Sequence, residues 1–467
     1  MVRLNRSMME RYEIADRRPD ALRAVLFGLD PMMLCAAARL LDCANASGGN
    51  FGAVCVSGSD EAEQLRAQDG MFTLLVRGER EDGSPIREER VVQSILEVAS
   101  VEDGLRFASR PELDLFMLSA LLSPEEYVEQ AAIVSRYLRA RWEAKLPAPQ
   151  VVLLSASPAS DSTSVLRACV AEFAALAGNS DFSEWVNNAP FQTLLVNSLF
   201  GELSDSEFAK AQRDMNYQDR FLLWAEPLLK CTAEGSLPAE LASVCGNEDF
   251  SVACERKSRV FDSLMFLCAS AGFLSGMDSF SQVLRDETLR AFIGRAFFDE
   301  LLPALPWPRE EVSPFVISAF SRLENSMNDV PLLRAGLFGG FCRSLLPSIR
   351  AHAAREFESP ALLSLAFAAA IMVYAGARKN DGGKYEILRG RDNFLLNDEP
   401  DILQAFSLLS HDMPAESLAY AVLADRDLWG ADLREIDGLE MRLSLDLASI
   451  QRVGFRETLR QRESTEH

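Results

Sequence analysis

Residues 24–56 constrain the fold more than any other stretch of the chain. Ala24-Val25-Leu26-Phe27 is a compact apolar run that stops at Gly28. Met32 to Leu41 follows, rich in Ala, Leu and Met, with the composition of a helix. Asn45 to Asn50 is a polar turn, and Phe51-Gly52-Ala53-Val54-Cys55-Val56 is a second apolar run of similar length. Strand, glycine turn, helix and strand in that order predict the opening of a parallel α/β domain, because parallel strands need a crossover and a helix usually supplies it. Runs that are apolar without alternation are the mark of strands buried on both faces.

The next segments extend this pattern. Phe72 to Gly78 and Ile86 to Val92 read as the arms of a hairpin around the charged Glu79–Ser84 turn. Leu113–Leu118 and Gln150–Leu154 read as buried strands, with the periodic helix Glu125–Glu143 between them. After about residue 245 the strand-like runs nearly vanish. Helical stretches take over: Lys257–Phe273, Phe280–Leu302, Val312–Met327, Pro331–Leu346, Pro360–Ala375, Pro400–Leu408, Ala415–Leu423 and Asp432–Leu447. The expected fold class is α/β: a parallel-sheet domain over 1–245, then an all-helical domain over 246–467. Glu234–Asp249 reads as the linker, with Leu237–Val244 a helix that fits either side. The polar tail from Arg460 is expected to fray.

Charge and cysteine usage exclude several classes of function. The net charge is -22, from 69 acidic and 47 basic residues, a field that repels nucleic acid and anionic membranes. The densest basic stretches, Arg136–Lys145 and Arg256–Arg259, are short and read as solvated helix faces. The nine cysteines include no CxxC, and His352, His411 and His467 are far apart, so no local metal cluster is expected. The thiols read as reduced and mostly buried, which suits a cytoplasmic protein. The N-terminus carries charge from Arg3 onward and shows no signal-peptide core. Ala361–Ala377 is apolar but short for a bilayer span, and reads as a buried central helix.

Several segments carry a more specific signal. Gln68-Asp69-Gly70-Met71-Phe72-Thr73-Leu74 with Arg77-Gly78, then Ala225-Glu226-Pro227, Arg256-Lys257-Ser258-Arg259-Val260, Ala271–Gly276 and Leu345-Leu346-Pro347-Ser348 occur in an order and spacing that resemble the long-chain mannitol dehydrogenase family. The resemblance is to its sugar-acid branch, the tagaturonate reductases or altronate oxidoreductases, and covers roughly residues 22–450. It implies a Rossmann-like N-terminal domain and a helical C-terminal one. It further implies NAD or NADP as cofactor, no metal, a sugar-acid substrate, and interconversion of a secondary alcohol with a ketone.

The positions that would carry that chemistry are changed. The family's G-x-G phosphate turn reads Gly28-Leu29-Asp30-Pro31-Met32-Met33, in which only Gly28 matches. Asp30 puts a negative charge near the expected phosphates, and Pro31 removes an N–H donor. The alternative is an ordinary strand–helix turn with Asp30 as N-cap and Pro31 at the first helical position. The groove beside Gly28 is expected to be narrowed by Met32 or Met33. The family's catalytic helix carries Lys as general acid/base, Asn five residues on and His three beyond. Here Lys257 matches, but Asp262 and Met265 stand at the other two positions. An ionised Asp262 would repel a developing alkoxide, and Met265 has no proton chemistry. Lys257 and Asp262 are placed to pair. The alternative reading is a surface ion pair on an amphipathic helix, with Met265 in the core.

Further family segments change in the same direction. Ser-Asn-Thr-Thr-Glu appears as Ser119-Ala120-Leu121-Leu122-Ser123, leaving Ser119 as a weak cofactor-binding candidate. Glu-x-x-Glu-Asn-Asn-Gly appears as Ser157–Thr163, and an Asp-Arg pair as Val196-Asn197. A family Asn, Lys and Arg appear as Gly336, Gly340 and Ser344. Three functions follow as expectations: an altered nicotinamide-dependent oxidoreductase; a pseudoenzyme partnering or regulating another protein, such as an active paralogue; or a binding module for a less polar ligand, lined by Met265, Leu121, Leu122 and Val196.

Overall fold

The computed structural model describes residues 2–466 except 10, 12, 81–83, 121–123, 157–161, 216, 326–331 and 334–335. The chain divides into two compact units, Met1–Cys254 and Glu255–His467. The sequence reading placed the boundary at 245. The residues just past it are tied back into the first unit, because the Gly246 N–H donates to the Cys231 carbonyl at 2.8 Å.

The first unit is built on a seven-stranded sheet. Its strands are β1 (Leu22–Phe27), β2 (Gly52–Val56), β3 (Ile95–Ala99), β4 (Leu115–Ser119), β5 (Gln150–Ser155), β6 (Phe191–Val196) and β7 (Cys231–Ala233). Their order across the sheet is β7-β6-β5-β4-β1-β2-β3, parallel except for the antiparallel edge strand β7. Successive residues of β1 feed opposite faces, as a period of two requires. Ala24 and Leu26 join the core on one face, while Val25 and Phe27 join the core on the other. The helical stretch from Met33 packs into the first core. Helices Pro124–Glu143 and Ser162–Leu176 flank the second face. This explains why the strands read as unbroken apolar runs.

The predicted hairpin is present as Phe72–Glu79 and Pro85–Val92, in a separate four-stranded sheet with Leu223–Ala225 and Phe200–Glu202. Two of the family-like motifs meet here. Leu223 pairs with Leu74 and Ala225 with Val76. Buried Asp219 accepts from Gln68 Nε2 (2.9 Å), Thr73 N (2.5 Å) and Phe221 N (2.8 Å). Burial pushes the Asp219 carboxyl up, and these donors pull it back. Buried Arg39 donates to the carbonyls of Glu226 (3.0 Å) and Pro227 (2.5 Å). The Gln68–Gly78 and Ala225–Pro227 motifs are therefore joints of the frame.

The second unit is helical with one addition that the sequence reading missed. Arg378–Lys379, Tyr385–Arg389 and Asp392–Leu395 form a small antiparallel meander. The Lys379–Gly383 turn opens this hairpin. Its centre is Asn380, whose side chain accepts the N–H groups of Gly382 and Lys384. The apolar run forms helix Ala361–Tyr374, buried from Leu362 to Tyr374. Glu300 accepts the N–H groups of Leu362 (2.9 Å) and Leu363 (2.8 Å), satisfying an N-terminus that Pro360 leaves uncapped. Among the described residues, no helix is long and apolar enough to cross a membrane. The tail continues as helix Phe455–Glu466. It is held by Arg462, which contacts the Asp446 carboxylate and donates to the Ala361 carbonyl at 3.0 Å, so the expected fraying is corrected.

The expected helix Pro331–Leu346 is also corrected. Residues 337–344 form bends and turns, and the helix runs over Leu345–Glu356 instead. Asp398 is the cause. Its carboxylate accepts the N–H groups of Phe338, Gly339 and Glu399 and the hydroxyl of Tyr374, each at 2.9 Å. Gly336 sits against it so closely that a Cβ would lie 2.3 Å from Asp398 Cγ and 2.7 Å from the Asn397 carbonyl oxygen. Gly336→Ala is expected to cost about 3 kcal/mol, from overpacking and a disturbed buried carboxylate. Gly340→Ala, with nothing within 4 Å of its Cβ, should stay within about 0.5 kcal/mol of the parent. Urea midpoints measured on both variants check this contrast.

Candidate functional site

In the first unit the sheet topology itself marks a location. Chain order runs away from β1 in both directions, toward β2 and β3 on one side and β4, β5 and β6 on the other. Open α/β sheets bind ligands in the crevice at the carboxyl ends of the strands where the order reverses. Here those ends carry Gly28 and Ser119, and the structure brings Gly28, Asp30 and Ser119 together.

Gly28 has φ +114°, a conformation that favours glycine. Its N–H donates to the Val56 carbonyl at 3.0 Å, and the Cys55 thiol donates to its carbonyl at 3.1 Å. Burial, then the nearby charge of Asp30, pushes the Cys55 thiol well up. Asp30 Oδ1 accepts the N–H groups of Met32 (2.9 Å) and Met33 (3.2 Å). The Ser119 hydroxyl lies 2.9 Å from both carboxylate oxygens and donates to them. Asp30 is thus the helix N-cap that the alternative reading described.

A Cβ on Gly28 would meet Asp30 Oδ2 at 3.2 Å and Met33 Cγ at 3.9 Å, so the carboxylate is its nearer neighbour and Met33 also borders it. A dinucleotide pyrophosphate needs free N–H groups and positive potential at this helix start. The turn offers it engaged N–H groups at Met32 and Met33, none at Pro31, and a carboxylate. These residues do not fit a pyrophosphate held in that manner.

The second unit holds the catalytic-type residues. Lys257–Asp262 is a π-helical stretch that runs directly into the α-helix Ser263–Leu274. In an α-helix, residues five apart point about 140° away from each other at 3.6 residues per turn. The wider π turn, with its i→i+5 spacing, brings them over one another. Lys257 Nζ accordingly donates to Asp262 Oδ1 at 2.6 Å. The lysine side chain is only 8% exposed and that of Asp262 21%, which corrects the expectation of a surface ion pair. Burial pushes the Asp262 carboxyl above its ordinary range, opposed by Lys257 and, more weakly, by Arg343 and Arg322. One of the three N–H donors of Lys257 is thus directed at a neighbouring carboxylate.

Met265 is partly exposed, which corrects its expected place in the core. Along Ser263–Leu274 its neighbours Leu264 and Phe266 are buried, and Met265 shares the least buried line of the helix with Asp262, three residues before it. Of the positions where the resemblance expects Lys, Asn and His, the first is buried and the other two are partly exposed, and together they hold an ion pair and a thioether.

No protein-family model matches the chain. Altronate oxidoreductases of Escherichia coli O7:K1 (strain IAI39 / ExPEC) and Shigella sonnei (strain Ss046) are each 25% identical to it over 430 residues, covering 85% of this chain and 87% of the relative. Mannitol 2-dehydrogenase of Pseudomonas fluorescens, solved as a ternary complex with NAD and D-mannitol, superposes with a TM-score of 0.75 at 16% identity, over 99% of this chain and 100% of that one. A D-sorbitol dehydrogenase solved in substrate-free form gives a TM-score of 0.71 at 16% identity, over 98% and 100%. The resemblance to the mannitol dehydrogenase family is borne out.

Within the mannitol dehydrogenase frame, the remaining changed positions have structural roles. Val196 ends β6, buried and paired with Cys231, so it does not line a ligand cleft as the apolar-ligand reading required. The Asn197 N–H donates to the Lys230 carbonyl at 2.8 Å. Ala120 donates its N–H to the Leu154 carbonyl at 2.8 Å, while Leu121, Leu122 and Ser123 lie outside the described residues, as do 157–161. Thr163 is hydrogen-bonded to Thr193 at 2.8 Å. Ser344 donates to the Gly340 carbonyl at 2.9 Å. Among the described residues, no group of three His, Cys, Asp or Glu could hold a metal ion. Sequence reasoning placed Lys257 and Asp262 to pair but missed the π turn that lets residues five apart meet.

Proposed function

We propose that this chain keeps the frame of a nicotinamide-dependent sugar-acid or polyol oxidoreductase but has lost that family's ordinary reaction, and acts as a non-catalytic partner or regulator of another protein. The observation that carries this reading is the Asp30 carboxylate. It accepts the Met32 and Met33 N–H groups and the Ser119 hydroxyl at the switch point of the sheet. The Lys257–Asp262 pair supports it from the second unit. Ketone reduction needs a proton donor free to reach the substrate oxygen and a site that favours negative charge there. A carboxylate at 2.6 Å from the only matching catalytic residue opposes both. The joints of the frame, around Asp219 and Arg39, are meanwhile intact. That combination is expected when folding is retained and chemistry is not.

Calorimetric titration of NADH and of NADPH into the purified full chain tests this. The expected dissociation constants lie above about 1 mM, weaker than about 4 kcal/mol of binding. Binding in the micromolar range would overturn the proposal. A second reading, an oxidoreductase with altered chemistry, is favoured by the retention of Lys257. It requires turnover of tagaturonate, fructuronate or fructose with either cofactor, and the proposal expects none.

A further inference from the structure

Cys231 and Cys245 form a contact that neither the sheet nor the candidate site requires. Cys231 opens the edge strand β7 and is buried, whereas Cys245 is half-buried. Their sulfur atoms lie 3.0 Å apart, closer than two sulfurs in van der Waals contact. The backbone holds them there. Cys231 pairs with Val196 across the sheet, and its carbonyl accepts the Gly246 N–H at 2.8 Å, immediately after Cys245. The intervening loop is fixed as well. Gln192 Nε2 donates to the Ser236 carbonyl at 3.2 Å, and Glu234 accepts from Thr193 N (3.1 Å) and Thr193 Oγ1 (2.8 Å). Cys268, buried without such a partner, is by contrast an ordinary core thiol.

We propose that Cys231 and Cys245 are a redox-active pair that closes reversibly to an intramolecular disulfide. The shared sulfur–sulfur hydrogen bond lowers the Cys245 thiol and raises that of Cys231, so Cys245 is the sulfur that ionises more readily. It is also the more accessible of the two. With a peroxide as oxidant, the Cys245 thiolate attacks one oxygen. An S–O bond forms, the O–O bond breaks, and the departing hydroxide takes up a proton as water. The Cys231 sulfur then attacks the sulfenic sulfur. The S–S bond forms, the S–O bond breaks, and the hydroxyl leaves with the Cys231 proton as a second water. Two thiols and one hydrogen peroxide thus give one disulfide and two waters. The product staples the edge strand β7 to the residue preceding Gly246.

The test uses the full-length chain treated with stoichiometric hydrogen peroxide, blocked with iodoacetamide, digested and mapped by mass spectrometry. The expected product is a peptide linking Cys231 with Cys245. The denatured protein should titrate two fewer thiols than its nine cysteines supply, and dithiothreitol should restore both. In Cys231→Ala, the Cys245 sulfenic acid should persist and be trapped by dimedone. Cys43 also acts electrostatically on Cys231, so Cys43→Ala is the control and should leave the link unchanged. The proposal is overturned if Cys231 and Cys245 are both recovered alkylated while other cysteines oxidise. A link joining Cys231 to Cys43 overturns it too. The mapping on the unmodified chain decides the matter even where a variant fails to fold.

Discussion

Asp30→Gly should raise the affinity for NADH at least about tenfold, a gain of about 1.4 kcal/mol. The parent carboxylate acts against a bound pyrophosphate twice. It engages the N–H groups of Met32 and Met33, and it places a negative charge beside Gly28. Glycine frees the donors and removes the charge, while costing the helix start only a few tenths of a kcal/mol relative to a good cap. Ser119 loses its acceptor but can turn toward a phosphate oxygen. Asp30→Asn separates the two effects. Asparagine can still accept both N–H groups but carries no charge, so its gain should fall between the parent and the glycine variant. Calorimetry on all three proteins measures this. A folded Asp30→Gly chain that binds NADH no better than the parent would sink the assignment of Asp30 as the block.

Asp262→Ala should destabilise the protein by about 3 kcal/mol. Removing one member of a buried ion pair leaves the other charge uncompensated, which typically costs 3–5 kcal/mol, and the residual exposure of Asp262 places this case at the lower end. The double variant Lys257→Met, Asp262→Leu should cost less than the single one, because two desolvated charges leave together. The raised Asp262 carboxyl points the same way: burial opposes its charge by more than Lys257 returns. Urea midpoints at constant slope would show the order parent, double variant, single variant. A single variant within about 0.5 kcal/mol of the parent would mean that Lys257 finds water or another partner.

The candidate site was partly legible, and its legible part has a common physical origin. Apolar runs of the right length announce strands buried on both faces, so β1, β2, β4 and β5 could be read directly. β3 and β6 were not read, because Ile95–Ala99 and Phe191–Val196 are interrupted by Glu97 and by Gln192 and Thr193. Asp30 as N-cap was legible because capping is local, needing only a short polar side chain two or three residues before the N–H groups it accepts. The bond from Ser119 to Asp30 spans 89 residues and depends on β4 lying beside β1. The segments Gln68–Gly78 and Ala225–Pro227 carry part of the family resemblance without being site residues. They are instead two sides of one sheet joined through Asp219 and Arg39.

The sequence by itself determined which chemical groups the phosphate turn and the catalytic helix contain: Asp30 and Pro31 after Gly28, and Lys257, Asp262 and Met265 in place of a proton-transfer set. It also determined the α/β frame, because burial periodicity is written locally. Only the tertiary structure decided what those groups do. Asp30 accepts the Ser119 hydroxyl at the switch point because parallel pairing of β1 with β4 delivers Ser119 to it. Lys257 meets Asp262 because the helix adopts a π turn, a choice of backbone register that residue identities do not encode locally. The expected helix is broken around Gly336 and Gly339 because Asp398, about 60 residues away, packs against Gly336 and accepts the N–H groups of Phe338 and Gly339. In the first and last cases the deciding contact joins segments that only the folded chain brings together.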